Sequence, residues 1–262
     1  MPDLSAKVAI VSGGATLIGE KTAQAFVDAG AGVVIADINE ADGKRVAKAL
    51  GNKAGFIKTD ITDDAQIENC IAYAETRFGG VDFLVNLACT YLDKGLDSLR
   101  EDWLAALNVN LVSGAIFTQK IASHMQQRGG GAIVNFGSIA AKRAQPGRLL
   151  YSASKAAILG MTRNQALLLA ADGIRVNSVS PGWTWSNVIR DFSGNDRVKA
   201  DKVAEPLHIN GRLVDAEEVA AAVVFLCSGA AAGINGSDIA VDGGYTAIGP
   251  EQKIDRVSRL AD

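Results

Sequence analysis

Short apolar runs alternate with amphipathic stretches from one end of the chain to the other. Most of the apolar runs are continuous rather than alternating, which is typical of parallel strands that are buried on both faces. The pattern predicts strands at 7–12, 32–37, 54–59, 81–86, 132–137, 174–180 and 239–242. The stretches between them have helical periodicity. They predict helices at 19–29, 40–50, 64–78, 100–128, 151–171 and 215–228.

This alternation of strand and helix predicts the fold class. Parallel strands joined by helices form right-handed crossovers, so we expect an α/β protein with a doubly wound parallel sheet of about seven strands and helices on both faces. No linker or repeat interrupts the pattern, which favours a single domain over residues 1–248. Residues 183–212 break the rhythm with mixed polarity, and we expect them to form a functional lid. Residues 249–262 follow the last strand as a C-terminal tail.

Composition and charge argue against several classes of function. The 262 residues carry a net charge of −3 and no basic block, which disfavours nucleic acid as a partner. No apolar run approaches the roughly 20 residues that span a bilayer, and the N-terminal segment lacks the features of a secretory signal. Cys70, Cys89 and Cys227 are isolated and His124 and His208 lie far apart, so we expect reduced thiols and no metal site. We therefore expect a cytoplasmic protein without a membrane partner.

A glycine-rich turn follows the first predicted strand. Ser12 and Gly13 open this turn, and Gly19 lies where the next helix begins. At such a turn, backbone N–H groups at a helix N-terminus can bind a pyrophosphate. Asp37 ends the second strand, 18 residues beyond Gly19. A carboxylate there can accept hydrogen bonds from the ribose hydroxyls of NAD and would repel the 2′-phosphate of NADP, so NAD is the predicted cofactor. The alternative for Asp37 is a helix N-cap or a turn residue.

Tyr151 and Lys155 lie four residues apart in a long predicted helix, and Ser138 follows the apolar strand upstream. Positions i and i+4 share one helix face, so the phenol and the ammonium group project together. A neighbouring ammonium stabilises phenolate and lowers the tyrosine pKa from about 10 toward neutrality, which suits proton exchange with an alcohol. Helices also carry this pair by chance, so a tyrosine at the edge of the core beside a solvated lysine is the alternative.

Together, these motifs resemble the short-chain dehydrogenase/reductase family over residues 7–245. The resemblance implies a Rossmann-type fold, and it extends to further motifs of the chain. These are Asp60-Ile61 after strand three, Asn86-Leu87-Ala88-Cys89 after strand four, Asn110, Pro181-Gly182 and Asp242-Gly243-Gly244. The cofactor-binding residues that the resemblance implies are Ser12, Gly13, Leu17, Ile18, Gly19, Asp37, Asp60, Ile61, Asn86, Ala88, Tyr151, Lys155, Pro181, Gly182, Thr184 and Ser186. Leu17, Leu87 and Cys89 depart from the family pattern.

The resemblance also implies a reaction. Tyr151 is the implied general acid/base, Lys155 lowers its pKa and binds the nicotinamide ribose, and Ser138 holds the substrate oxygen. Asn110 positions a water that connects Lys155 to solvent. These roles predict an oxidoreductase that transfers a hydride between NAD(H) and a secondary alcohol or ketone. A noncatalytic NAD-binding or regulatory protein on the same fold is the main alternative, and a lyase or epimerase with bound NAD is a third.

Two groups of residues bear on the small-molecule substrate. Trp183 and Trp185 flank Thr184, where they either form an apolar wall beside the nicotinamide or pack within the lid. Six cations lie in segments that line the pocket in this family, and each of them either pairs with a substrate carboxylate or is a solvated surface charge. They are Lys142, Arg143, Arg148, Arg190, Arg197 and Arg212.

Two predicted helices indicate self-association. Family members of this size usually pair these helices across a two-fold axis, so the resemblance implies a homotetramer, with a dimer as the alternative. The small residues on the later helix are Ala153, Ala156, Ala157 and Gly160, and the apolar residues on the earlier one include Leu104, Leu107, Leu111 and Phe117.

Overall fold

The computed structural model describes residues 2–249 and 252–254. Its strands are β1 (Val8–Ser12), β2 (Gly32–Asp37), β3 (Ala54–Lys58), β4 (Phe83–Asn86), β5 (Gly131–Phe136), β6 (Ile174–Pro181) and β7 (Asp238–Val241). They form one parallel sheet in the order β3-β2-β1-β4-β5-β6-β7. Because the order reverses between β1 and β4, a crevice opens outside the carboxyl ends of these strands.

Helices cover both faces of this sheet. The α-helices of the described residues are α1 (Leu17–Asp28), α2 (Glu40–Leu50), α3 (Asp64–Phe78), α4 (Arg100–Leu107), α5 (Ser113–Gln127), α6 (Leu149–Leu169), α7 (Asn187–Ser193), α8 (Arg197–Ala204) and α9 (Ala216–Cys227). Helices α1, α2 and α9 contribute to the apolar cluster on one face, and α3, α5 and α6 contribute to the cluster on the other. The predicted doubly wound, Rossmann-type α/β fold is confirmed.

Successive residues of the central strands are buried on opposite faces. Val11 of β1 and Ile35 of β2 belong to the first cluster, whereas Ile10 and Val34 belong to the second. All four side chains are fully buried. A strand that is covered on both sides needs apolar residues at consecutive positions, which explains the continuous apolar runs in the sequence.

The long helix predicted over 100–128 is interrupted in the structure. Helix α4 ends at Leu107, a π-helical segment spans Asn108–Val112, and α5 begins at Ser113. The backbone N–H of Ser113 donates to the carbonyl of Asn108, five residues earlier. Such segments insert one residue into a turn and are frequent at functional sites. The segment contains Asn110, one of the candidate site residues.

The predicted lid contains two short helices, α7 and α8, where the sequence pattern indicated a long connection. Each begins at a polar N-cap: Ser186 accepts a hydrogen bond from the backbone of Ile189, and Asp196 accepts one from Lys199. These caps satisfy N–H groups that have no partner inside the helix, so short helices form without a strong apolar pattern.

The described part of the C-terminal tail contacts the lid. Of the predicted tail 249–262, residues 249 and 252–254 are described, and the ammonium group of Lys253 donates to the Glu205 carbonyl at 3.0 Å. The remaining tail residues lie outside the described part of the chain.

In the described residues, no helix is both long and apolar enough to cross a membrane.

Candidate active site

A cleft of about 640 Å³ lies at the carboxyl ends of the central strands. Its walls come from the glycine turn, the segments after β4 and β5, the start of α6 and the lid. This volume is within the range of small-molecule sites. The cleft brings together nine of the predicted catalytic and cofactor-binding residues: Ile18, Ala88, Ser138, Tyr151, Lys155, Pro181, Gly182, Thr184 and Ser186.

Tyr151 and Lys155 occupy the third and seventh positions of α6, one helical turn apart. The Lys155 ammonium lies 5.5 Å from the centroid of the Tyr151 ring. It donates a hydrogen bond of 2.7 Å to the carbonyl of Phe136, the last residue of β5. Lys155 is 2% exposed, so the strand end fixes a buried cation beside the phenol. The predicted juxtaposition of the two side chains is therefore present.

The electrostatics at Tyr151 differ from the sequence-based expectation. Burial raises the pKa of Tyr151, and the neighbouring Cys89 thiol adds to this increase; hydrogen bonding with Ser138 and Tyr91 and the charge of Arg148 lower it. Burial also lowers the pKa of Lys155. The prediction that an adjacent lysine brings the Tyr151 pKa down toward neutrality was wrong for the net shift, because burial of the phenol is the largest influence and sequence spacing does not reveal it.

Ser138 lies two residues beyond β5 and faces the Tyr151 phenol. Its backbone is extended, and its Oγ accepts a hydrogen bond of 3.1 Å from the backbone N–H of Ala140, which starts a short 3₁₀ turn. The side chain is 8% exposed. Because Oγ accepts from Ala140, its own proton remains available for an oxygen in the cleft.

Asn110 joins the segment after β4 to helix α6. Its Oδ1 accepts from the Thr90 N–H at 2.7 Å, and its Nδ2 donates to the Thr90 carbonyl at 3.1 Å and to Ser154 Oγ at 3.3 Å. Ser154 Oγ in turn donates to the Tyr151 carbonyl at 2.8 Å. A small cavity of about 10 Å³ borders Asn110 and Lys155, which is close to the space that one water molecule requires.

The glycine turn is closed so tightly that side chains are excluded. Gly13 has a φ of +71°, and a Cβ there would lie 2.9 Å from Ala88 Cα. A Cβ on Gly19 would lie 2.2 Å from the Gly13 carbonyl oxygen. Leu17, which replaces a family glycine, opens α1, and its N–H donates to Asn187 Oδ1 of the lid at 2.8 Å. The tight turn between β1 and α1 is therefore present with a leucine at position 17, and the lid contacts it through Asn187.

Asp37 braces the same turn from the end of β2. Its Oδ2 accepts from the Ala15 N–H at 3.0 Å, and its Oδ1 accepts from the Asn39 N–H at 2.9 Å. The N-cap of α2 is Asn39, so the alternative of a cap role for Asp37 does not apply. Each carboxylate oxygen retains capacity for a second hydrogen bond. Asp37 therefore both supports the turn and can accept bonds from ribose hydroxyls.

Other predicted cofactor residues point their polar groups at the protein itself. Ser12 Oγ donates to the Val85 carbonyl at 3.2 Å, and Asn86 Nδ2 donates to Asn135 Oδ1 at 2.9 Å. Asp60 accepts from the backbone and hydroxyl of Thr62, and Ile61 beside it is half-buried. Of these residues, Ser12, Asn86 and Ile61 border the small cavity next to Asn110 rather than the large cleft.

The two tryptophans of the lid differ in position: Trp183 lines the cleft, whereas Trp185 does not. Trp183 lines the cleft and also packs on the small lid cluster around Leu213. Trp185 packs on that cluster with Arg197 above its ring, 5.6 Å from the centroid, and does not line the cleft. Trp183 therefore gives the cleft an apolar surface, and Trp185 packs within the lid.

Sequence reasoning gave no individual role to two residues at the cleft, Asn187 and Tyr245, and it expected Tyr91 in the pocket wall without predicting its partner. Tyr91 stacks on Tyr151 with ring centroids 5.1 Å apart, Asn187 binds the glycine turn, and Tyr245 enters the cleft from the segment after β7. Asn187 directly follows Ser186, and Tyr245 follows the Asp-Gly-Gly motif, so their neighbours carried a signal that did not identify them. In the described residues, no group of three acidic, histidine or cysteine side chains could hold a metal ion.

Comparison with known proteins places these features in context. A family model described as enoyl-(acyl carrier protein) reductase matches residues 13–246. The chain is also similar to cis-4-hydroxycyclohexanecarboxylate dehydrogenase of Sinomonas cyclohexanicum. The two are 37% identical over 247 residues, which cover 92% of this chain and 97% of the relative.

Two solved structures share the fold over nearly the whole chain. One is a 7α-hydroxysteroid dehydrogenase complexed with NADH and 7-oxo glycochenodeoxycholic acid, with a TM-score of 0.86, 31% identity and coverage of 92% of this chain and 95% of that one. The other is L-sorbose reductase from Gluconobacter frateurii with NADPH and L-sorbose, with a TM-score of 0.86, 26% identity and coverage of 93% and 97%.

Proposed function

The chain belongs to the short-chain dehydrogenase/reductase family, and from this premise we propose that it interconverts a secondary alcohol and a ketone with NAD(H). That it is a hydride-transferring oxidoreductase follows from its relatives, and they do not support the noncatalytic alternative. The observation that carries the finer proposal is the convergence of Ser138, Tyr151 and Lys155 in one cleft beside the glycine turn.

In the proposed mechanism, Tyr151 exchanges a proton with the substrate oxygen. During alcohol oxidation its phenolate accepts the hydroxyl proton, and during ketone reduction the phenol returns it. The Ser138 hydroxyl donates to the same substrate oxygen and stabilises the charge that develops there. Lys155 stabilises the phenolate at close range. A nicotinamide held in this cleft would supply or accept the hydride.

Protons are proposed to reach Tyr151 along the buried side of α6. The small cavity bordered by Asn110 and Lys155 has polar and apolar lining residues and roughly the volume of one water. A water there would connect the lysine ammonium toward solvent. Asn110 is a positioning residue in this scheme, because its amide is committed to Thr90 and Ser154.

NAD is proposed as the preferred cofactor because the ribose side of the turn is acidic. Asp37 faces the turn, and the exposed Ile38 rather than a cation follows it. Arg45 on α2 is engaged by Glu20 at 2.9 Å and by Asp42 at 3.2 Å. A 2′-phosphate would therefore meet a carboxylate without a free guanidinium to offset it. The residues proposed to bind the cofactor are those that the sequence analysis gave.

Asp37→Asn is expected to narrow the preference for NAD over NADP by about tenfold, because removal of one close like charge changes the interaction by about 1–4 kcal/mol. The amide keeps an acceptor for the Ala15 N–H, so the turn should persist. The measurement is kcat/KM with each cofactor at a fixed alcohol concentration. Asp28→Asn removes an exposed carboxylate from the end of α1 and is the control. Wild-type kcat/KM that is equal or higher with NADP would refute this role of Asp37.

The activity itself is tested with a panel of secondary alcohols and NAD, followed by NADH absorbance. The panel contains cyclohexanol, a sugar alcohol, a hydroxysteroid and 4-hydroxycyclohexanecarboxylate, which sample the substrate types of the relatives. We expect turnover with at least one ring alcohol, since Trp183 gives the cleft a flat apolar wall. Protein that binds NAD but reduces it with none of these alcohols would contradict the proposal.

We further propose a cytoplasmic homotetramer, with a dimer as the alternative. Ala153, Ala156 and Ala157 form an exposed face of α6, and a Cβ on Gly160 would meet nothing closer than Arg163 at 3.9 Å. Leu104 on α4 is 63% exposed. Phe117 is fully buried and belongs to the core rather than to this surface. The free thiols of the described chain suit a reducing compartment.

Light scattering at micromolar concentration is expected to give about four times the chain mass of 27.3 kDa. Ala157→Arg should reduce this mass, because a charged side chain would be buried against the partner helix. Lys199→Glu, which changes a charge on the lid helix α8, should not. A wild-type mass near that of one chain would exclude both the tetramer and the dimer.

A further inference from the structure

The structure distinguishes among the six cations that could meet a substrate carboxylate. Five of them are engaged by the protein and are not available in the cleft. Lys142 pairs with Asp238, Arg143 donates to the Thr246 carbonyl, Arg190 pairs with Asp191, Arg197 pairs with Asp201 and Asp215, and Arg212 pairs with Asp215 and Glu218. Within residues 2–249 and 252–254, the guanidinium of Arg148 has no hydrogen-bond or ion-pair partner.

Arg148 is placed over the reacting end of the cleft. It is the N-cap residue of α6, three positions before Tyr151. Its Cζ lies 5.5 Å from the centroid of the Tyr151 ring and 5.0 Å from that of Tyr91. The nearby carboxylate of Asp93 is occupied by the backbone N–H groups of Tyr151 and Gly95. The guanidinium is therefore held by aromatic faces and not by an acid.

A cation–π contact with aromatic rings leaves the hydrogen-bond donors of a guanidinium without an acceptor. A guanidinium has five N–H donors, which lie in its plane. The edge of this plane matches the two oxygens of a carboxylate in a bidentate pair. Arg148 thus has an unused binding edge within the cleft.

The rest of the cleft lining favours an anion with an apolar body. Among the described residues that line it, Arg148 and Lys155 are the cations, and none is an aspartate or glutamate. Lys155 is buried and donates to Phe136, which leaves Arg148 to meet a charged group of a ligand. Apolar lid residues such as Trp183, Ile189 and Leu207 also line the cleft.

We propose that Arg148 binds a carboxylate of the substrate, so that the substrates are hydroxy acids or oxo acids with a compact apolar skeleton between the two groups. The inference rests on the proposed function, in which the substrate oxygen meets Tyr151 and Ser138. The carboxylate end then lies only a few carbon–carbon bonds from the reacting carbon, because Arg148 and Tyr151 share the first turn of one helix.

The kinetic test compares a charged and a neutral substrate of similar shape, 4-hydroxycyclohexanecarboxylate and 4-methylcyclohexanol. The wild type is expected to prefer the acid by about tenfold or more in kcat/KM, since a charge-assisted bidentate pair is stronger than a hydrogen bond between neutral groups. Arg148→Met should reduce this acid-to-neutral ratio to near one, mainly by raising KM for the acid. Arg148→Lys should retain part of the preference, because lysine keeps the charge and loses the bidentate edge.

The ratio of kcat/KM for the acid to kcat/KM for the neutral alcohol distinguishes carboxylate binding by Arg148 from a purely structural role of this residue. Any effect of Arg148 on the position or pKa of Tyr151 acts on both substrates and cancels in the ratio. Arg143→Met, which removes a neighbouring arginine that donates to Thr246, should leave the ratio unchanged. A wild type without preference for the acid, or an Arg148→Met ratio equal to that of the wild type, would overturn the proposal.

A binding measurement tests the same inference without turnover. Cyclohexanecarboxylate, which has no hydroxyl group to oxidise, is titrated into the wild type and Arg148→Met by calorimetry in the presence of NAD. Binding to the wild type that weakens about tenfold or more in the variant supports Arg148 as the anchor. Equal or absent binding in both proteins overturns it. If carboxylate binding follows Arg148 while no alcohol in the panel is oxidised, the proposed reaction fails and the carboxylate site stands.

Discussion

Tyr151→Phe is expected to fold as the wild type does, to bind NAD and to lose about 10²–10⁴-fold in kcat, the usual contribution of a general acid–base group. The substitution removes the hydroxyl and keeps the ring that stacks on Tyr91, so the packing at the start of α6 should persist. The measurement is kcat with the best alcohol of the panel, together with the melting temperature and the affinity for NAD.

Tyr91→Phe is the matched control for this loss. It removes a phenol hydroxyl from the ring that stacks on Tyr151 and that helps to lower the Tyr151 pKa by hydrogen bonding. Its effect should stay within about tenfold, because a single neutral hydrogen bond contributes about 0.5–1.5 kcal/mol. If Tyr151→Phe retained activity within a few-fold of the wild type, another group would have to transfer the proton.

Gly19→Ala is expected to open the cofactor turn. The added Cβ would lie 2.2 Å from the Gly13 carbonyl oxygen and 2.7 Å from Gly14 Cα. Both atoms belong to the backbone, so no side-chain rotation can relieve the contact, and overpacking of this kind typically costs about 1–3 kcal/mol. The free energy of unfolding in urea should fall by about that amount. NAD affinity, measured by calorimetry, should fall as well, because the turn and the N-terminus of α1 must separate.

Gly233→Ala provides the comparison. A Cβ on Gly233 would meet no heavy atom within 4 Å, and the φ of this residue lies outside the left-handed range. The same chemical change should therefore leave both stability and NAD affinity near their wild-type values. Unchanged NAD affinity in Gly19→Ala would show that the turn accommodates the methyl group and does not hold the pyrophosphate as proposed.

The strands and helices could be predicted in their order along the chain, because burial on both faces of the sheet requires a regular pattern of apolar residues in the sequence. Strand β2 and helices α2 and α3 begin and end where the pattern placed them. The π-helical segment around Asn110 was missed because apolar periodicity continues through one inserted residue. Helices α7 and α8 were missed because they are only seven and eight residues long and begin at polar N-caps, Ser186 and Asp196, without a clear apolar pattern in the sequence.

At the site, helix geometry made the pairing of Tyr151 with Lys155 predictable from spacing alone. The direction of the Tyr151 pKa shift was not predictable, because it depends on how much solvent the fold removes. The choice of Arg148 among six cations could not be made either, since ion pairing depends on neighbours that are remote in sequence. Arg143, only five positions away, binds Thr246 on the segment after β7.

Helix α6 carries the proposed carboxylate anchor and the proton donor within one turn, Arg148 as N-cap and Tyr151 at the third position. A helix rises about 1.5 Å per residue and is stiff over such a distance. The helix therefore fixes the distance between the backbone positions of Arg148 and Tyr151, and movement of the lid does not change it. Relatives that oxidise longer acids would need their cation on another element, and engineering of substrate length should begin by moving the arginine rather than by reshaping the loops.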